Sequence, residues 1–164
     1  MRERQGLDRT DIRILSAVQQ HGQLSKTKLA ELVNLSPTPC LSRLNRLRDA
    51  GYIRGYHADI ALERVIDVTR VVVTISLNHH RKSDFDRFEK HIKSIDEIIN
   101  CVSTGGGVDY IITVVTPSLA AFQDLMDELL AADLEIDRYM TYFATRLVKA
   151  QQPNLAKLVA QTRR

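Results

Sequence analysis

The stretch SKTKLAELVNLSPTPCLSRLNRLRDAG, residues 25–51, decides how the first third of the chain is read. Ser25 is a helix-capping residue ahead of Leu29, Leu32 and Val33, which recur at helical steps, and Asn34 suits the left-handed exit of a short helix over about 26–33. Ser36-Pro37 restarts the chain as an N-cap followed by Pro at the first helical position. Cys40, Leu44 and Leu47 then define an inner face until Gly51 ends the run. Two helices joined by a tight turn make a helix-turn-helix. Upstream, Leu7, Ile12, Leu15 and Val18 predict a preceding helix, with Asp8 as N-cap, Asp11 in capping-box position and His21-Gly22 as the stop. Downstream, Tyr52 to Ile60 is aromatic and β-branched, and reads as one or two short strands or a wing.

The rest of the chain keeps a different rhythm. Val71, Val73, Ile75 and Leu77 alternate as a strand, Phe85, Phe88, Ile92 and Ile95 recur as a helix, and Ile98 to Thr104 reads as a second strand. Gly105-Gly106-Gly107 forces a turn. Tyr110 to Thr116 is a third strand, Thr116-Pro117 starts a helix carrying Phe122, Leu125, Met126, Leu129 and Leu130, and Arg138 to Arg146 is a fourth strand. The order βαββαβ is the ferredoxin-like arrangement. The predicted fold class is therefore α+β: a winged helix-turn-helix domain at 1–60, a linker at 61–67 where Glu63, Arg64 and Asp67 break the apolar pattern, a ferredoxin-like domain at 68–150, and a tail at 151–164 with a helix from Leu155, Leu158 and Val159.

Composition narrows the class of function. At 44% hydrophobic and 26% charged residues the 164-residue chain is neither collagenous, disordered nor a disulfide scaffold. Its longest apolar runs fall far short of the ~20 residues of a membrane helix, and nothing at the N-terminus resembles a signal peptide. The expectation is a cytosolic protein without membrane attachment. Net charge is +3, unevenly spread: residues 1–57 carry ten Lys/Arg against five Asp/Glu, whereas residues 58–164 carry thirteen against fifteen. A concentrated basic segment is what a polyanion partner requires.

The helix over 37–50 can be examined by angle. With Cys40, Leu44 and Leu47 inward, Thr38, Ser42, Asn45, Arg46 and Asp49 fall on or near the opposite side, and Arg43 on the flank. Arg and Asn are the residues that read guanine and adenine edges, while Ser36 and Thr38 near the helix N-terminus can bind phosphate. The plain alternative is an ordinary polar helix face; the capped preceding helix and the local charge weigh against it.

The triple glycine is not a phosphate loop, because Val108-Asp109-Tyr110 leads into a strand where such a loop needs a helix and usually a Lys. It is either a plain hairpin turn or a turn whose open N–H groups take a carboxylate while Asp109 takes an ammonium. His79 and His80 are adjacent on an extended segment and point apart, so they read as solvated residues and not as a metal site. Cys40 and Cys101 read as free, buried thiols. No nucleophile elbow, metal cluster or dinucleotide fingerprint favours an enzyme.

A single four-stranded sheet with both helices on one side leaves its other face uncovered. Val72, Thr74 and Ser76 on the first strand, with Met140, Tyr142 and Ala144 on the last, form that outer set. The surface is more apolar than a solvated face, and predicts a dimer.

Several of these motifs resemble a known family. Leu7-Asp8-x-x-Asp11-x-x-Ile14-Leu15, Leu29-Ala30-Glu31, Leu35-Ser36-Pro37-Thr38-Pro39-Cys40-x-x-Arg43-Leu44-x-Arg46-Leu47 and Gly51-Tyr52-Ile53 resemble the DNA-binding half of the Lrp/AsnC (leucine-responsive/asparagine-type, feast/famine) regulators of bacteria and archaea. Cys101, Gly106 and Asp109-Tyr110 sit at the spacing of that family's ligand-domain signature, and Lys149 resembles its closing Lys. The resemblance implies dimerisation through the sheet, further assembly commonly to octamers, and a small effector, usually an amino acid, bound between dimers. Carried over by position, it makes Ser36, Thr38, Ser42, Arg43 and Arg46 DNA contacts, joined by Asn45 from the helix geometry. It makes Thr104, Gly105, Gly106, Asp109 and Thr141 effector-site candidates. Gly105 stands where the family commonly has Thr, which removes a hydroxyl from the expected pocket, and 62–68 lacks the family's usual Gly.

The resulting expectation is a sequence-specific transcriptional regulator that binds double-stranded DNA at imperfect palindromes as a homodimer or larger even assembly, needs no cofactor, and responds to an amino acid or derivative. Half-sites should lie about 34–36 Å apart. A nucleoid-organising protein of weak sequence preference is the alternative, and an amino-acid-handling enzyme the outsider.

Overall fold

The computed structural model describes residues 6–162. The chain divides into two compact units, one of residues 6–60 with 149–162 and the other Ala61–Val148.

The first unit holds four helices: α1 (Arg9–His21), α2 (Lys26–Leu32), α3 (Pro37–Asp49) and α6 (Leu155–Thr162). Asp8 and Asp11 form the expected capping box on α1, each side chain accepting the other's backbone N–H. Gly22, at φ 69°, ends the helix by returning its N–H to the Val18 carbonyl in a conformation that suits glycine. Ser25 caps α2 through the Lys28 N–H, and Asn34 takes the left-handed conformation, φ 50°. Ile14, Leu29, Val33, Cys40 and Leu47 are buried together, and Leu7, Leu44 and Ile53 pack on them half-buried. Each fully buried aliphatic side chain here contributes about 1.5–3 kcal/mol to holding α3 against α1 and α2.

One feature departs from the sequence reading. Residues 52–60 contain no paired strand, and of them Ile53 packs on the core. The expected tail is helix α6, capped by the Asn154 side chain on the Lys157 N–H, and it packs on α1 through Leu155. The Leu155 N–H also donates to Gln19 Oε1 at 3.4 Å.

In the second unit, a 3₁₀ turn at Leu62–Arg64 precedes β1 (Thr69–Leu77), α4 (Lys82–Ile92), β2 (Ile98–Ser103), β3 (Tyr110–Thr116), α5 (Leu119–Ala131) and β4 (Ile136–Phe143). The antiparallel sheet has the order β2-β3-β1-β4, the ferredoxin-like topology. Helix α5 begins two residues beyond Pro117 because Ser118 supplies the cap, accepting the Ala121 N–H. Val71, Val73, Ile75, Tyr110, Ile112 and Val114 face the helices and pack against Phe88 and Ile92 of α4 and Phe122, Met126 and Leu129 of α5.

Strand register places the other face. Val72 lies opposite Thr113 and Tyr142, and Thr74 opposite Ile111 and Met140. Opposed residues in an antiparallel pair share a face, so these side chains form one mixed surface on the side away from the helices. Met140 is 49% exposed and Tyr142 50%. Ala144 falls just past the end of β4, donating its N–H to the Arg70 carbonyl. Cys40 is buried, as expected. Cys101 is exposed, because β2 is an edge strand.

Candidate functional site

Helix α3 carries the first set of candidates. Ser36 occupies its N-cap position with no side-chain cap hydrogen bond, Pro37 opens the helix, and Thr38 and Ser42 are exposed. Asn45 is half-buried and accepts from Arg48 Nη2 at 3.2 Å. Thr38, Ser42 and Asn45 form a hydrogen-bonding surface on the side away from Cys40 and Leu47, with Ser36 at the helix N-terminus.

The two arginines are held in a way that the helical angle alone does not reveal. Arg43 Nη1 donates to Asp8 Oδ2 at 2.6 Å and Asp11 Oδ1 at 2.9 Å, and Arg46 Nη2 donates to Asp11 Oδ2 at 2.7 Å. The Asp11 side chain is 2% exposed, against 59% for that of Arg46. Asp11 thus accepts both guanidiniums and the Asp8 N–H on one buried carboxylate. The Asp11 N–H, followed by the Arg43 guanidinium, keeps the Asp8 carboxyl below the usual aspartate range; Asp8 and Asp11 in turn raise the Arg43 guanidinium above its ordinary value. Sequence reading identified Asp8 and Asp11 as helix caps only. Their second task joins residues 32 and 35 positions apart, and no local spacing rule reports such a contact.

The glycine turn between β2 and β3 carries the second set. Thr104 donates its N–H to the Asp109 carbonyl at 2.8 Å and its hydroxyl to the Val108 carbonyl. Asp109 accepts the Leu77 N–H on Oδ2 at 2.8 Å, and His80 Nε2 lies 3.1 Å from its Oδ1. Its carboxylate therefore secures the end of β1 instead of standing free for an ammonium group. His80, read from the sequence as merely solvated, is its partner, with Phe85 beside the ring. The N–H groups of Gly105, Gly106 and Gly107 donate to no other residue among those described.

Thr141 is not gathered with this turn. It lies on β4 opposite Val73, whereas the turn adjoins the row Tyr110–Ile75–Tyr139 with β1 intervening, so within one chain it belongs to a different part of the sheet. Beside the turn, Ser103 and Tyr110 also line an open cleft of about 400 Å³ between α4 and β2, with Glu89, Lys93 and Cys101 on its walls. Tyr110 donates its hydroxyl to Glu89 Oε1 at 3.2 Å, and burial raises its ionisation well above the ordinary tyrosine value. Partial desolvation beside α4, and then the Glu89 carboxylate, likewise raise the Cys101 thiol above its ordinary value. Among the described residues no group of His, Cys, Asp and Glu could hold a metal ion, and no helix is long and apolar enough to cross a membrane.

Comparison with known proteins assigns both units. Residues 7–54 match the model of a winged helix-turn-helix DNA-binding domain, and residues 70–153 match that of the Lrp/AsnC ligand-binding domain. The transcriptional regulatory protein DoeX of Halomonas elongata is 39% identical over 92% of this chain and 95% of its own. The leucine-responsive regulatory protein of Escherichia coli is 34% identical over 96% and 93%. A transcriptional regulator from Neisseria meningitidis, solved as a complex with L-methionine, superimposes with a TM-score of 0.80 at 29% identity, covering 89% of this chain and 94% of that one.

Proposed function

Because the chain belongs to the Lrp/AsnC family of transcriptional regulators, we propose that it reads DNA through the outer surface of α3 and that a small metabolite bound by the second unit controls this reading. It is a DNA-binding regulator with a small-molecule-responsive domain. The finer statements that follow concern its contacts, effector and assembly.

The observation that carries the reading is the surface of α3 itself. Thr38, Ser42, Asn45 and the exposed part of Arg46 project from a helix whose opposite side is fixed in the core by Cys40 and Leu47. Arg46 and Asn45 contact base edges, Ser36 and Thr38 bind phosphate at the helix N-terminus, and Ser42 and Arg43 complete the surface. Two such helices in a dimer meet successive major grooves about 34–36 Å apart, which favours an imperfect palindrome.

Dimerisation uses the open sheet face around Val72, Thr74, Met140 and Tyr142, and dimers assemble further, up to octamers. The effector is an amino acid or derivative, the class represented by the methionine in the Neisseria complex. Its carboxylate meets the open N–H groups of Gly105, Gly106 and Gly107. Because Thr104 and Asp109 are engaged within the turn, they shape the site, and Thr141 can join it only from another subunit. The neighbouring cleft falls in the size range of small-ligand sites.

Titrating the protein amino acids, while following assembly mass by light scattering and DNA affinity at fixed salt, tests the switch. At least one amino acid changes both quantities. If neither responds to any of them, the effector part is wrong.

A further inference from the structure

The geometry points to Asp11 as a positioning residue for DNA recognition: its buried carboxylate holds the Arg46 guanidinium in one orientation, so that its free N–H donors are aimed before any base is met. This inference rests on the reading of α3 as the DNA-facing helix.

Three observations carry it. One partner is fixed and the other exposed, because the side chain of Asp11 is 2% accessible and that of Arg46 59%. An ion pair between two exposed, mobile side chains imposes little geometry. Here the acceptor cannot swing, since Asp11 lies in the first turn of α1 and the same Oδ2 accepts the Asp8 N–H at 3.2 Å. A guanidinium is planar, so anchoring Nη2 at 2.7 Å restricts the direction of the remaining donors. Among the described residues those donors have no other protein partner.

The third observation is contrast along the same helix. Arg48 reaches no buried charge, only the Asn45 amide oxygen at 3.2 Å and the exposed Asp49 at 3.9 Å, and so keeps the mobility suited to a phosphate contact. Arg43 shares the Asp11 anchor, but its Nη1 is divided between Asp8 and Asp11 and its side chain is the less exposed of the two, so the fork that reaches outward from the buried anchor is that of Arg46. Bidentate recognition of guanine requires two N–H groups in one plane, and a side chain already held there loses less rotamer freedom on binding. A purely structural role for Asp11, as a buried charge needing counter-charges, would affect stability and leave base preference alone.

The test uses the full chain, a duplex site selected from random-sequence DNA, and that site's single-base variants, all at one salt concentration. Asp11→Asn removes the charge and Asp11→Glu keeps it while displacing the carboxylate. Both should lose about tenfold in discrimination at the base pair that Arg46→Ala also relaxes, with affinity for unrelated DNA within about twofold of the parent. Either folded variant retaining the parental discrimination would overturn the inference. Should both variants unfold, the parent decides: the Arg46 Nε–H is then as rigid by NMR relaxation as the backbone around it, and a freely mobile group is the contrary result. A parent without base discrimination removes the reading of α3 as well, whereas discrimination that ignores Asp11 removes only this inference.

Discussion

Arg43 and Asp11 meet at 2.9 Å across 32 positions of sequence, and this contact fastens the third helix to the first turn of the first. Asp11 is buried, and a buried carboxylate deprived of a charged donor is costly. Arg43→Ala leaves Asp11 with Arg46 alone and Asp8 without its guanidinium. We expect a lower urea midpoint than that of the parent. An unchanged midpoint would show that the pair is ornamental.

Acid should loosen the same unit. Asp8 is held below the ordinary value of 3.8, first by the Asp11 N–H and then by Arg43. A carboxylate whose folded pKa is depressed contributes stability that is present above the unfolded value and lost as pH falls through the folded one. The parent should therefore lose stability below about pH 4 more steeply than Asp8→Asn, which keeps the cap but not the charge. Superimposable acid limbs for the two proteins would contradict this.

The turn makes a separate prediction. Asp109→Ala strips the Leu77 N–H of its acceptor and should cost about 1–3 kcal/mol even without ligand. His80→Ala should cost far less, because the side chain of His80 is 63% exposed. If Asp109→Ala leaves thermal stability intact and only weakens effector binding, the carboxylate is a ligand contact and not an anchor.

Tyr142→Glu tests the open sheet face. The new charge would stand opposite Val72 in the middle of that surface. We expect the variant to run as a monomer by light scattering at micromolar concentration while keeping its secondary structure. A mass equal to the parent's would move the interface elsewhere.

The parts of this structure that were legible in the sequence are those governed by local rules. The capping box at Asp8 and Asp11, the left-handed Asn34 and the alternation of Val71, Val73, Ile75 and Leu77 each depend on neighbours within a few positions. The parts that were missed depend on distant ones. Arg46 looked free because a helical wheel shows only which way a residue leaves its own helix, and Asp109 looked free because the Leu77 N–H that it binds lies two strands back in the chain. Thr141 is separated from the turn by strand order, which no single strand encodes. Cys101 alternates onto the helix-facing side of the sheet, but its strand lies at the edge, and edge position is also a property of the whole sheet. Helix α6 was foreseen as a helix from Leu155, Leu158 and Val159, yet its docking on α1 has no local signature.

Sequence reading by α3 stands or falls on the selection of bound duplexes from random-sequence DNA by the purified chain. An enriched imperfect palindrome is expected, with half-sites one helical turn or a multiple of it apart, bound about 10³-fold or more tightly than unrelated DNA at the same salt concentration. If no motif is enriched, and affinity follows only fragment length and ionic strength, the chain does not read sequence through α3.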